Sequence, residues 1–166
     1  MKITIIVFLC LISVVSVTQG GAGMKITSPV FAHNQYIPKK YSGEGDDVNP
    51  PLVIENIPVG TKSLALIVDD PDAPRGTWVH WVVFNISMTN KIDEDSVPGT
   101  LGITNSGKNA YHGPYPPSGT HRYFFKIYAL DELLDLNEGV DKYTLEKSMH
   151  GHILGSAELI GLYKRE

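Results

Sequence analysis

Two segments of the 166-residue chain hold the side chains best suited to chemistry. The first is "DDPDAPRGTWVHW", which carries Asp70, Asp72, Trp78 and His80. The second is "YHGPYPPSGTHRY", which carries Pro114, Pro116, Pro117, His121, Arg122 and Tyr123. A neutral imidazole offers one donor and one acceptor, and its protonated form two donors and a full charge. A carboxylate close to a histidine raises its pKa, so Asp70 is expected to keep His80 and His121 charged and donating. Two histidines, a tyrosine hydroxyl and a carboxylate can therefore hold an anion or move a proton. Each residue also has a plainer reading. A lone histidine is more often a satisfied core residue, and Trp78 and Tyr123 can be simple core filler or a wall for an ammonium or alkyl group.

Two histidines and an aspartate can also make a three-ligand zinc site. No HxxxH pair supports one, and His150 and His152 are two apart, which on a helix points them in different directions. Ser118 near His121 raises a hydrolase reading. The chain has no G-x-S-x-G elbow, and turn chemistry accounts for "PSG". No metal, no cofactor and no catalysis are expected.

The loops around these residues are stiff. Proline fixes φ and removes a donor, so Pro71 and Pro74 hold the first in few shapes, as Pro114, Pro116 and Pro117 hold the second. Each loop adjoins an apolar segment that reads as a strand buried on both faces: Ser63–Val68 and Trp78–Ile86 around the first, His121–Leu130 after the second. Alternation places Trp78, His80 and Val82 on one face, and His121, Tyr123 and Phe125 on one face. "KITSPVF", Leu52–Glu55 and "AELIGLY" are further strands, and Ser87–Tyr111 reads as irregular. "DELLDL" is expected to form one or two helical turns. "DKYTLEKSMHGHIL" sets Leu145, Met149 and Ile153 on one helical face, with Asp141 or Thr144 as cap and Gly155 as stop. Many strands with one or two peripheral short helices predict an all-β sandwich.

The first residues have a different pattern. Met1–Thr18, "MKITIIVFLCLISVVSVT", is one lysine followed by an apolar run, and small residues come next. This is the order of a secretory leader. As a helix, Ile3–Val17 spans roughly 22 Å, short of the ~30 Å hydrocarbon core, so a cleaved leader is expected rather than an anchor. The expected division is 1–22 leader and 23–166 domain, placing the mature protein in the periplasm or outside the cell, with no transmembrane span. "MKIT" recurs at Met24–Thr27, and a start there would leave the protein in the cytoplasm. The leader holds the one cysteine, Cys10, so a mature chain has no disulfide, cysteine nucleophile or thiolate site. It also holds one of the 14 basic residues and no acid, leaving 13 against 18, net −5. With no basic cluster, nucleic acid is excluded as an expected partner.

"DPDAPRGTWVHWVVFNI" and "GPYPPSGTHRYFFKIYALD" closely resemble the two signature segments of the phosphatidylethanolamine-binding protein family, in its short bacterial and archaeal, Raf-kinase-inhibitor-like form. The resemblance runs from about Ile26 to Tyr163. It implies a β-sandwich with a small cavity that binds anions, phosphate-type head groups especially. Asp70, Trp78, His80, Pro116, Pro117, His121 and Tyr123 fall on the family's pocket positions. Asp72, Pro74 and Arg122 fall on supporting positions, and the Ala73–Pro74 bond is expected to be cis. Two departures stand out: Val79 replaces a histidine that often precedes His80, and the C-terminal helix of eukaryotic members is expected to be missing. The resulting expectation is an exported binder of a phosphate-type anion or phospholipid head group, one that modulates a partner protein. The alternatives are a kinase or protease inhibitor acting through the pocket surface, and a weak hydrolase.

Overall fold

A computed structural model of the chain describes residues 23–166. The expected leader, Met1–Thr18, lies outside the described residues. Nine strands and one α-helix follow in order: β1 (Lys25–Thr27), β2 (Gln35–Tyr36), β3 (Leu52–Glu55), β4 (Ser63–Asp70), β5 (Trp78–Ile86), β6 (Lys91–Ile92), β7 (Thr100–Leu101), β8 (Thr120–Leu130), α1 (Lys142–Met149) and β9 (Ile153–Lys164). They make a three-stranded sheet, β1-β3-β6, and a six-stranded sheet, β2-β9-β8-β4-β5-β7. β1 with β3, β4 with β5 and β8, and β8 with β9 all pair antiparallel, and β2 pairs parallel to β9.

The larger sheet is covered on both faces, and its sequence shows why. In β4, "SLALIVDD", every residue is buried. Leu64, Leu66 and Val68 face the smaller sheet, packing in one core with Ile26, Ile54, Trp81, Phe125 and Ile127. Ala65 and Ile67 face the other way, with Val82, Phe84, Leu145 and Met149. Helix α1 and the loop before it, through Leu134, Leu136 and Val140, seal this second face. Asp141 caps the helix by accepting from the Thr144 N–H at 2.8 Å.

The charged end of β4 runs past the expected stop at Val68. Asp69 points to the helix side, where Lys126 of β8 (2.9 Å) and Lys142 of α1 neutralise it. Asp70 points to the opposite side, into the site.

Four expectations need correction. "DELLDL" is not helical. Asn85, itself at φ 52°, donates from Nδ2 to the Leu134 carbonyl and accepts the Leu134 N–H at Oδ1, which clamps that backbone and seats Leu134 in the helix-side core. Helix α1 ends at Met149, before Ile153, because Gly151 takes φ 90° and turns the chain into β9. Gly155 is therefore a strand residue, one whose Cβ would meet Pro58 Cγ at 2.7 Å. Ala73–Pro74 is trans, as are all described peptide bonds. The loop reverses instead at Gly76, whose φ is 98° and whose N–H donates to the Ala73 carbonyl at 3.1 Å. Last, His80 and Val82 do not share a face. Val68 pairs with Trp81 but Asp69 with Val79, so β5 carries one extra residue opposite β4. This β-bulge turns His80 and Trp81 toward the same side, while Val82 lies under α1.

Candidate functional site

The bulge, the end of β4 and the start of β8 meet at one end of the larger sheet. The two stiff loops close around them to form a cavity of about 830 Å³. Six expected pocket residues line it: Asp70, Trp78, His80, Pro116, Pro117 and Tyr123. His121, the seventh, stands behind that wall and reaches the cavity through Asp70, to whose Oδ2 its Nδ1–H donates at 2.7 Å. Both partners are almost fully buried. A carboxylate can only accept, so this bond fixes the proton on Nδ1 and leaves Nε2 as the free ring nitrogen.

The supporting positions separate by role. Pro74 lines the cavity. Asp72 and Arg122 form a two-pronged pair, with Arg122 Nη2 at 2.7 Å from Oδ1 and Nε at 2.9 Å from Oδ2, and Asp72 Oδ2 also accepts the Arg122 backbone N–H. These bonds hold the Asp72 carboxyl at about 2, below its usual value. They tie the first loop to β8 and occupy the guanidinium. Asp70 Oδ1 accepts the Asp72 N–H at 2.8 Å, so the same loop also orients the carboxylate inside the cavity.

His80 departs from the expected charged donor. Its ring lies edge-on to Tyr123 and stacked on His112, with centroids 5.1 and 6.0 Å apart. Nδ1–H donates to the His112 carbonyl at 2.6 Å, and the His112 N–H returns a bond to the His80 carbonyl at 2.9 Å. Burial outweighs that carbonyl and the Asp70 charge and pulls the His80 pKa down to about 4. Near neutrality the ring is uncharged and Nε2 carries a lone pair. Neither His80 nor His121 uses Nε2 in a hydrogen bond among the described residues, and both atoms keep some solvent contact.

Tyr123 Oη is buried with no hydrogen-bond partner among the described residues. Burial first, then the nearby Asp70 charge, pushes its pKa well up, although the geometry makes no hydrogen bond between the two groups. It therefore remains a proton-bearing donor. A buried hydroxyl without a partner costs about 1–3 kcal/mol, which is why such groups are rare outside sites that await one.

Seven wall residues were not among the expected ones: Ala73, Arg75, Gly76, Thr77, Asn105, His112 and Tyr115. Arg75 sits at the first loop and makes no ion pair among the described residues. Asn105 accepts the Val79 N–H through Oδ1 at 2.7 Å, leaving its amide NH₂ free. His112 and Tyr115 complete the second loop's wall. Arg75 and Tyr115 lie inside the two signature segments and His112 immediately before the second, so their position was a usable signal. Asn105 lies in the irregular stretch, where no pattern pointed to it.

The second loop is held as its prolines suggest. The Tyr111 hydroxyl donates to the Tyr41 carbonyl at 2.8 Å, the Gly43 N–H to the Pro114 carbonyl at 3.0 Å, and the Gly113 N–H to Asp47 Oδ1 at 2.6 Å. Gly113 is required for close approach, since a Cβ there would stand 2.5 Å from the Tyr41 carbonyl oxygen. Ser118 is exposed and makes no hydrogen bond to His121. No group of three or more His, Cys, Asp or Glu side chains is placed to hold a metal among the described residues.

A family model described as phosphatidylethanolamine-binding protein matches residues 27–164. The chain belongs to the phosphatidylethanolamine-binding protein family. A UPF0098 protein of Methanothermobacter thermautotrophicus is 47% identical over 150 residues, covering 86% of this chain and 99% of the relative. A UPF0098 protein of Aquifex aeolicus is 46% identical over 157 residues, covering 89% and 92%. Among solved structures, a putative phosphatidylethanolamine-binding protein homologue from Chlamydia trachomatis superposes with a TM-score of 0.84 at 41% identity, covering 87% of this chain and 99% of that one. Escherichia coli YbcL, described as a new member of the mammalian family, gives 0.81 at 26%, covering 87% and 100%. These relatives place the chain in the bacterial and archaeal branch. Family membership supports ligand binding in general.

Proposed function

We propose that the protein is an exported binder of small phosphate-type anions, not a catalyst, and that the cavity beside Asp70 is its ligand site. The unpartnered, buried Tyr123 hydroxyl in the cavity wall carries this reading. It is a donor for which the described residues provide no hydrogen-bond partner. The free amide of Asn105 and the unpaired Arg75 supply further donors on the same wall, and the guanidinium suits a phosphate's geometry. Asp70 lines the cavity, and His121 holds that carboxylate from behind by donating Nδ1–H to it. No activated nucleophile accompanies these groups. The test is calorimetric titration of inorganic phosphate and phosphoethanolamine into wild type, His121→Ala and His150→Ala. Wild type should bind, and His121→Ala, which leaves the buried Asp70 carboxylate without its donor, should bind about tenfold more weakly or worse. His150→Ala, in the turn after α1, should match wild type. Absence of binding to the folded wild type would defeat the proposal.

A further inference from the structure

The cavity offers acceptors as well as donors, and their arrangement limits what a phosphate ligand must look like. His80 Nδ1–H is committed to the His112 carbonyl at 2.6 Å. The return bond from the His112 N–H and the stacked His112 ring hold the imidazole in place, so it cannot flip to present Nδ1–H to a ligand. Nε2 is what the cavity sees. Burial keeps the ring neutral at ordinary pH, with its pKa at about 4. Asp70, on the same wall, spends both oxygens accepting from Asp72 N–H and His121 Nδ1–H and offers a ligand only lone pairs. An anion oxygen without a proton would face these acceptors lone pair to lone pair.

We propose that His80 is a specificity residue that accepts a hydrogen bond from the ligand's own P–OH, so that the site selects a phosphomonoester or inorganic phosphate in its protonated form. Phosphodiesters and fully deprotonated oxyanions, which carry no P–OH, are rejected. This rests on the anion reading above and narrows it. An intact phospholipid is a phosphodiester and has no P–OH to give, so the preferred ligand is a singly esterified, soluble head group rather than a bilayer lipid. A site built to hydrogen-bond a ligand hydroxyl discriminates strongly against analogues lacking it, because its buried polar group is left unpaired.

The experiment is calorimetry on the full mature chain at pH 6, above the His80 pKa and near the second pKa of a phosphomonoester, roughly 6. Methyl phosphate is compared with dimethyl phosphate, inorganic phosphate with sulfate, and phosphoethanolamine with glycerophosphoethanolamine. The member carrying P–OH should bind at least about tenfold more tightly in each pair. Phosphate and sulfate are nearly equal in size, so that pair separates the missing proton from steric bulk. In His80→Gln the amide can turn its NH₂ toward the ligand, and the preference should shrink to within about threefold. Equal binding within all three wild-type pairs would overturn the role of His80 while leaving the anion site standing. No binding by any of the six would overturn both. The wild-type series decides the matter even if His80→Gln does not fold.

Discussion

His80 is where a single side chain bears on stability as well as on the proposed selectivity. In the unfolded chain its ring takes a proton near pH 6.5, and in the folded protein burial delays this to about 4. Between those values the unfolded state binds more protons, so stability is full above pH 6.5 and falls as pH drops toward 4. The loss amounts to roughly 3 kcal/mol, taking 1.36 kcal/mol per pKa unit. The charges that bear on the ring are Asp70 and Asp69, which favour its protonation, and His112, which opposes it. The Asp72–Arg122 pair acts in a lower window, from the ordinary carboxylate value down to about 2, and the two contributions are separable. Urea denaturation of wild type and His80→Asn from pH 7.5 to 4 should show a much flatter profile in the variant. Parallel profiles would mean that the ring titrates normally. Sequence alone suggested the reverse for this residue, a charged donor, because Asp70 was visible in the motif. What overrides it comes from elsewhere in the fold: the enclosing cavity and the His112 carbonyl, 32 positions away.

At the scale of elements, the strands were legible because burial on both faces leaves an unbroken apolar run, as in "WVVF" of β5 and "LALIV" of β4. The bulge in β5 was not, since it depends on how β4 pairs with β5. It is also what turns His80 toward Tyr123. The end of β4 was misjudged for a similar reason. Asp69 reads as a strand terminator until Lys126 and Lys142 arrive from β8 and α1 to neutralise it. The helix that supplies Lys142 is short, and isolated helices of that length are marginal, so its stability comes from packing. Leu145 is fully buried against the outer face of the large sheet. Leu145→Ala should destabilise the protein by about 2–5 kcal/mol, and Asp141→Ala, which removes the cap, by about 1 kcal/mol. Equilibrium denaturation measures both. A Leu145→Ala effect below that of Asp141→Ala would show that the second core contributes little.

For the whole molecule, the two loops and the end of the larger sheet form one preorganised cup, and the described residues include no helix long and apolar enough to cross a membrane. Its destination rests on the segment before residue 23. N-terminal sequencing of protein from its native source should begin near Gly21–Met24 and find it outside the cytoplasm. A cytoplasmic protein beginning at Met1 contradicts export, and one beginning at Met24 points to the internal start. The purified protein should not turn over esters, phosphoesters or peptides above background. Turnover abolished by His121→Ala would make it an enzyme. The central claim, that the cup exists to satisfy Tyr123 with an anion, is tested most directly by the Tyr123→Phe variant. Deleting an unpaired buried hydroxyl should leave the empty protein equally stable or more so. The same change should weaken phosphoethanolamine binding about tenfold in calorimetry, because the ligand loses a charge-assisted bond. Unchanged affinity, with stability lowered, would show that the hydroxyl serves the fold and not a ligand.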